Sequence, residues 1–312
     1  MNEPQDDPAA GSSSQSESAA PPPRARRRWL KVLPWALLLA WAGLCVWLWS
    51  RPAQPQAAGG TSLNQPTAAR LAESARFSTI RVASFNIHSG KGRDGRLDLD
   101  RTTALLGGFD LIGLNEVRAD GIFGTGNQAR SLGEKLSMPW LFAPTETRFS
   151  RDSWGNGLLC SRPVSRWLRI PLPSSGGRGL RNVTLAHVDV AGVEVAFLIT
   201  HIDTSVDRRS QLELVSSMFT AIRPPAVLLG DMNTRGNEEP LSALLRQPGV
   251  VDAVAAAPQG RQPRIDWIIS RGMDVIGAGA EPNDASDHPM VWAELAPSAA
   301  VAAPATQPQS RP

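Results

Sequence analysis

The chain has 312 residues, 42% of them hydrophobic and 20% charged, which excludes a wholly disordered protein and leaves room for one large α/β domain with appendages. Two cysteines, Cys45 and Cys160, exclude a disulfide scaffold and a CxxC-type zinc site, and the absence of tyrosine excludes any mechanism run through a phenol. The net charge of +3 falls mainly before residue 52, where six Lys/Arg face four Asp/Glu; the 26 against 25 that remain form no polybasic field for tight, salt-dependent nucleic-acid binding.

Residues 1–28 are rich in Pro, Ala, Ser and Gln and end in Arg24, Arg26, Arg27 and Arg28, a composition that predicts a disordered tail. Residues 29–50 predict one transmembrane anchor. The stretch Val32–Trp49 carries no charge over 18 residues, about 27 Å as a helix and close to a bilayer's hydrocarbon thickness. Pro34 sits in the first turn, where a missing N–H costs little, and Trp29, Trp35, Trp47 and Trp49 suit the two interfaces. Five cations precede the span and only Arg51 follows it, so the positive-inside rule leaves the N-terminus cytoplasmic and everything after residue 51 on the far side, periplasmic in a bacterium. A cleaved signal peptide would have a shorter apolar run ending in small residues, a lipoprotein would need a small residue where Leu44 precedes Cys45, and a buried core helix suits neither the arginine-rich tail nor the length.

Residues 51–78, rich in Pro, Ala, Gln and Gly, predict a flexible linker, and 297–312 a second disordered tail. The folded part is expected over 79–296. Short β-branched or apolar runs recur within it, at Ile80–Asn86, Leu111–Glu116, Gly157–Cys160, Asn182–Asp189, Val193–Thr200, Ala226–Gly230, Arg264–Ser270 and Met290–Leu295. Helices are predicted at Leu99–Leu106 and Ser205–Ile222, the latter apolar at 206, 212, 215, 218, 219 and 222. The runs 182–189 and 193–200 are joined by Ala-Gly, a hairpin connection, so the sheets are mixed rather than wholly parallel.

Polar residues recur at the ends of these apolar runs: Asn86, Glu116, Asp231 with Asn233, Asp266, and Asp287 with His288. Any one of them reads equally well as a turn former or helix cap. Several carboxylates set at or inside apolar strands are costly to bury unless a cation compensates, and the types present suit a hard Mg²⁺ ion with a histidine for proton transfer.

Seven ordered segments carry a family resemblance: Ser-Phe-Asn-Ile-His at 84–88, Asp-Leu-Ile-Gly-Leu-Asn-Glu-Val at 110–117, Gly-Asn-Gly-Leu-Leu-Cys-Ser-Arg-Pro at 155–163, Thr-His-Ile-Asp at 200–203, Leu-Gly-Asp-Met-Asn at 229–233, Arg-Ile-Asp-Trp at 264–267 and Ser-Asp-His-Pro at 286–289. The chain resembles the endonuclease/exonuclease/phosphatase superfamily of deoxyribonuclease I-like metal-dependent phosphoesterases. That resemblance implies a four-layer α/β sandwich of two packed mixed, mainly antiparallel sheets flanked by helices. It implies Mg²⁺ as cofactor, with Mn²⁺ or Ca²⁺ as substitutes, held by Glu116, Asn86 and Asp287. Asp231 matches the residue that orients or deprotonates water, His288 the essential histidine and Asp266 its partner. Asn233 and His201 match phosphate-side groups, and Arg178 and Asn156 further substrate contacts at the mouth.

Other polar residues have plainer readings. His187 is an ordinary sheet residue, His88 structural with a substrate-side role open, Asp110 and Asp203 caps, and Cys160 an inert buried thiol. The missing tyrosine argues against the abasic-site endonuclease branch, and Asn115 stands where relatives carry glutamine. The expected function is a membrane-anchored phosphodiesterase acting outside the cytoplasm, first as a nuclease. Lipid or glycolipid head groups and small phosphoesters are the alternatives, and a catalytically silent binding module is the remote one. No obligate protein partner is implied, and substrate choice is expected in the loops around 121–128 and 173–179.

Overall fold

The computed structural model describes residues 29–65, 78–119, 126–176 and 179–299. The predicted N-terminal tail, much of the C-terminal one and residues 66–77 of the predicted linker lie outside the described residues. The chain divides into two units, Met1–Leu48 and Trp49–Pro312. Helix α1 (Trp29–Ser50) carries Val32–Ser50, long and apolar enough to cross a membrane, a criterion of length and composition that a signal sequence near an N-terminus also meets.

In chain order the second unit continues with β1 (Ala58–Gly60), β2 (Ile80–Asn86), α2 (Leu99–Leu106), β3 (Leu111–Arg118), α3 (Gln128–Leu136), β4 (Trp140–Arg148) and β5 (Arg151–Cys160). There follow β6 (Val164–Pro171), β7 (Asn182–Val190), β8 (Val193–His201), α4 (Arg208–Ala221), β9 (Ala226–Asp231) and α5 (Leu241–Leu245). The last strands are β10 (Val250–Asp252), β11 (Asp266–Arg271), β12 (Met273–Glu281) and β13 (Met290–Pro297).

These strands form a seven-stranded sheet, ordered β1-β6-β7-β8-β9-β11-β10, and a six-stranded sheet, ordered β12-β13-β2-β3-β5-β4. One pair in each is parallel, β8 with β9 and β2 with β3; the other pairs are antiparallel. The inner faces meet in a core that includes Val82, Leu111, Phe197, Ile199, Leu229 and Val291. The outer face of the larger sheet packs Leu198 and Leu228 against Leu212, Val215 and Phe219 of α4. On the other sheet, Phe85 and Leu114 pack with Leu106 of α2 and Leu132 of α3. Helix, sheet, sheet and helix make four layers, the expected α/β sandwich. The reason is visible in the strands: β8 and β9 are buried almost throughout, so both their faces need apolar cover.

Helix α2 spans the predicted residues because Asp98 caps it, accepting from the N–H groups of Asp100 and Arg101. Helix α4 starts three residues after the predicted Ser205, since Asp203 holds Ser205 and Asp207 in a polar turn. Strands β4, β6 and β12 and helix α3 escape the sequence reading. Pro144 interrupts β4, Gly-Ala-Gly-Ala fills the middle of β12, β6 is half-exposed without clean alternation, and α3 is a short helix containing Gly133.

The linker reading needs correction over residues 51–65. Ala58–Gly60 pair with Trp167–Arg169 at the sheet edge, Ala53 bridges Thr147 and Asn64 bridges Trp140. Gln54 donates to the carbonyls of Leu172 and Arg181, and Leu63 is buried in the core. An unpaired edge on β6 offers hydrogen bonds that a Pro/Gly-rich segment accepts as readily as a strand former does.

Candidate active site

The two parallel strand pairs bring their ends to one place. Asn86 and Asn115 are the last register partners where β2 ends against β3, as are His201 and Asp231 at the end of β8 and β9; Asp266, opening β11, pairs with Asp231. Face-to-face packing of the sheets then brings Asn86 Nδ2 within 3.1 Å of Asp231 Oδ2 and 3.2 Å of Glu116 Oε1. Glu116 lies in a bulge where β3 slips against β5 and adopts φ +57°, a left-handed conformation that re-aims its side chain. Asn233 is left-handed too, at φ +46°, and its N–H donates to Asp231 Oδ1 at 2.9 Å. Strained non-glycine residues at two such positions fit a site whose geometry is imposed by its surroundings.

His288 Nδ1 lies 2.8 Å from Asp266 Oδ2, and its Nε2 3.8 Å from Asp231 Oδ2. Ser286 sets this loop: its hydroxyl donates to the Asn86 carbonyl at 2.7 Å and accepts the His288 N–H at 3.2 Å. Burial alone would lower the His288 imidazole, but the Asp266 hydrogen bond and the charges of Asp266, Asp231 and Asp287 outweigh it and push it up to about 9. Burial, then the neighbouring Asp266 charge, pushes the Asp231 carboxyl up to about 7. The acid and base are thus separated by environment, a protonated imidazole beside a carboxylate poised near neutrality.

His201 behaves differently. Burial, with Arg181 and His288 nearby, lowers its imidazole well below the ordinary value, so the ring is neutral. The Asn233 amide lies 3.1 Å from Nε2, which accepts in the tautomer this network implies. Nδ1 is then the protonated nitrogen, buried and without a partner among the described residues. Asn233 also donates to the Ile202 carbonyl at 2.8 Å, so His201 and Asn233 buttress each other beside Asp231.

A profile of the endonuclease/exonuclease/phosphatase family matches residues 83–288, which contain every residue of this constellation. The chain belongs to that family. Its members are metal-dependent hydrolases of phosphoester bonds, and this chain is such an enzyme by membership. Among solved structures it resembles an endonuclease/exonuclease/phosphatase from Beutenbergia cavernae DSM 12333, at 24% identity and TM-score 0.58, over 70% of this chain and 72% of that one. It also resembles a family protein from Bacteroides thetaiotaomicron, at 19% identity and TM-score 0.56, over 70% of this chain and 94% of the other. The human Nocturnin catalytic domain, solved with a bound sulfate anion, matches at 17% identity and TM-score 0.54, over 70% and 94% of the two chains. At these identities the likenesses establish the fold. No curated protein matches the sequence.

The donor set fits the family's divalent metal. The Asp231 and Asp266 carboxylates crowd together within 4.8 Å, the Asn86 amide draws Glu116 toward Asp231, and Asp266 Oδ1 is buried without a hydrogen-bond partner among the described residues. Hard oxygens crowded in this way are what such a cation neutralises. Asn86 itself turns its N–H toward the two carboxylates, and its oxygen accepts the His88 N–H at 3.0 Å. The Asp287 side chain is 55% exposed and its Oδ1 stands 3.5 Å from His88 Nδ1.

Asn156 requires a correction. It is 1% exposed, accepting from Asn115 at 2.9 Å and donating to Asn182 at 3.0 Å, while Asn115 receives the Asp231 N–H at 3.0 Å. A buried amide must satisfy both its ends, so Asn156 lies in a relay beneath Asp231 and does not line the mouth. Arg178 lies outside the described residues. Arg181, missed in the sequence because it follows Arg178 so closely, lies 5.0 Å over the Trp154 ring and 3.8 Å from Asp203. Asn182 and Ser286 were missed as well; a short polar residue in a strand or loop carries no signal of which buried partner it meets. Burial pushes the Cys160 thiol up to about 12, an inert group, and His187 pairs with Glu194 at 3.1 Å.

Proposed function

We propose that the chain is a Mg²⁺-dependent phosphodiesterase that cleaves nucleic acid, held to a membrane by α1 with its catalytic domain outside the cytoplasm. The observation that carries the chemistry is the pairing of half-buried His288 with buried Asp266, set against Asp231, whose carboxyl is poised near 7. Asp231 would accept a proton from the attacking water, with Asn233 and Asn115 fixing its orientation through backbone hydrogen bonds. His288, kept protonated by Asp266, would donate to the phosphate oxygen that gains charge. Bound Mg²⁺ at the Glu116 side would supply Lewis-acid neutralisation of the same charge. The tether is supported by the apolar span and by the five cations before it against one after. Exposed Arg235 beside Asp266 and His288 supplies a cation for the substrate phosphate, and nucleic acid is the phosphodiester taken first to the assay.

The test uses the full chain in detergent micelles with Mg²⁺, assayed on plasmid DNA, RNA, phospholipid vesicles and bis-p-nitrophenyl phosphate. Plasmid or RNA cleavage is expected, falling about 100-fold or more in Glu116→Ala and in His288→Ala. Activity confined to vesicles would replace the nuclease with a lipid phosphodiesterase. Silence on every substrate by a folded chain would leave a binding module.

A further inference from the structure

Arg235 follows the Asn233 turn by two residues and is exposed. The neighbouring arginines are engaged: Arg208 reaches the Asn233 carbonyl at 3.0 Å, and Arg264 pairs with Asp252 and stacks 4.0 Å over the Trp267 ring. Arg235 makes no such side-chain bond among the described residues. It walls a cavity of about 330 Å³ together with Asp266, Asp287 and His288, so an unpaired cation faces the place where a phosphate must meet the imidazole.

That cavity shares Pro263, Arg264 and Pro289 with a second one of about 480 Å³, whose further walls include Pro258, Pro282, Ala280 and Val291. Four proline rings give this second cavity stiff, flat apolar faces, and rigid walls lose little freedom when a ligand enters. The one charged side chain lining it among the described residues is Arg264, already held by Asp252 and Trp267. Gln262 supplies an amide able both to donate and to accept.

An apolar pocket this close to the reacting phosphate discriminates between phosphodiesters. In a phospholipid the groups next to the phosphate are glycerol and a polar head, and acyl chains begin only beyond the ester carbonyls. In a nucleotide a flat heteroaromatic base lies one sugar away, with hydrogen-bonding edges that match an amide. Resting on the phosphodiesterase reading above, we propose that Arg235 binds the substrate phosphate and that the proline-walled pocket beside it receives a nucleobase, making Arg235 and this pocket the determinants of a nucleotide substrate.

Binding is to be measured by calorimetry on the full chain in detergent with Mg²⁺, using adenosine 5′-phosphate and glycerol 3-phosphate as probes. Adenosine 5′-phosphate is expected to bind about tenfold or more tightly, the size of one base stacking contact. Arg235→Gln is expected to weaken both probes by a similar factor, about tenfold. Ala280→Leu, which fills the pocket, should weaken adenosine 5′-phosphate alone. Pro282→Asp, an exposed position, serves as a second pocket variant should Ala280→Leu fail to fold in a thermal melt. Equal affinities for the two probes in the unmutated chain, or affinities that neither Arg235→Gln nor the pocket variants alter, would overturn the proposal. Hydrolysis of bis-p-nitrophenyl phosphate is followed in parallel. The expected binding pattern without turnover would sink the catalytic reading and leave the pocket standing; turnover without the pattern would do the reverse.

Discussion

His288 and Asp231 both hold protons more tightly than they would in an unfolded chain, and the sign of the consequence is the same for each. A group whose folded pKa is raised stabilises the fold below its unfolded value and loses that contribution as pH rises through the folded one. For His288 the window runs from about 6.5 to about 9. In EDTA, the melting temperature is therefore expected to fall by about 5 °C between pH 6.5 and 9, and Asp266→Asn should flatten that slope by removing the partner that raises the imidazole. A slope unchanged by Asp266→Asn would refute the assignment of Asp266 as the cause. The residue identities at this site were legible because they recur at the ends of apolar runs. Their states were not: the same residue type is neutral at His201, where burial and then the Arg181 charge disfavour the proton, and charged at His288, where the Asp266 hydrogen bond and nearby carboxylates outweigh burial.

At the level of elements, strand ends do the positioning. Gly230 adopts φ +140°, and a Cβ there would collide with the Thr200 carbonyl oxygen on the paired strand β8. Gly230→Ala must separate β8 from β9 one residue before the His201–Asp231 pair. The expected result is a melting temperature lower by about 5–10 °C, from about 1–3 kcal/mol of overpacking, together with loss of phosphodiester hydrolysis. Unaltered stability in that variant would show that β9 shifts freely. The hairpin of β7 and β8 was legible from its two-residue connection, as was α2 from its cap and period. The bulge that turns Glu116 was not, because a bulge comes from two strands slipping against each other, and β5 begins six residues before its predicted start.

Across the whole catalytic unit, the stretch 51–65 closes the β6 edge and adds Leu63 to the core. A chain beginning at residue 66 is expected to melt about 5–10 °C below one beginning at residue 51, since it loses a buried leucine worth about 2–5 kcal/mol and an edge ladder. Equal melting temperatures for the two would return the segment to the role of a linker. Far from the active site, buried Arg162 pairs with Asp110 at 3.3 Å and donates to the Thr79 carbonyl at 2.8 Å, while Asp110 also receives the Arg81 N–H. Asp110 thus acts structurally, as its sequence context suggested, though as the partner of a buried cation rather than as a cap.

The sequence by itself determined the family, the apolar N-terminal helix, the mixed α/β character and the order in which Asn86, Glu116, Asp231, Asp266 and His288 come along the chain. Each of those is written in local stretches of sequence: an apolar run of 18 residues, a hydrophobic period, or motifs of four to nine residues at strand ends. The tertiary structure alone decided that Asn86 meets Asp231 from 145 positions away, that Asn156 faces inward into an amide relay, and that His201 is buried and neutral. It alone set Arg235 beside His288 and laid 51–65 along a sheet edge. The physical reason is common to all of these: hydrogen-bond partners, burial and field are properties of two sheets packed face to face. No local window of sequence contains both faces.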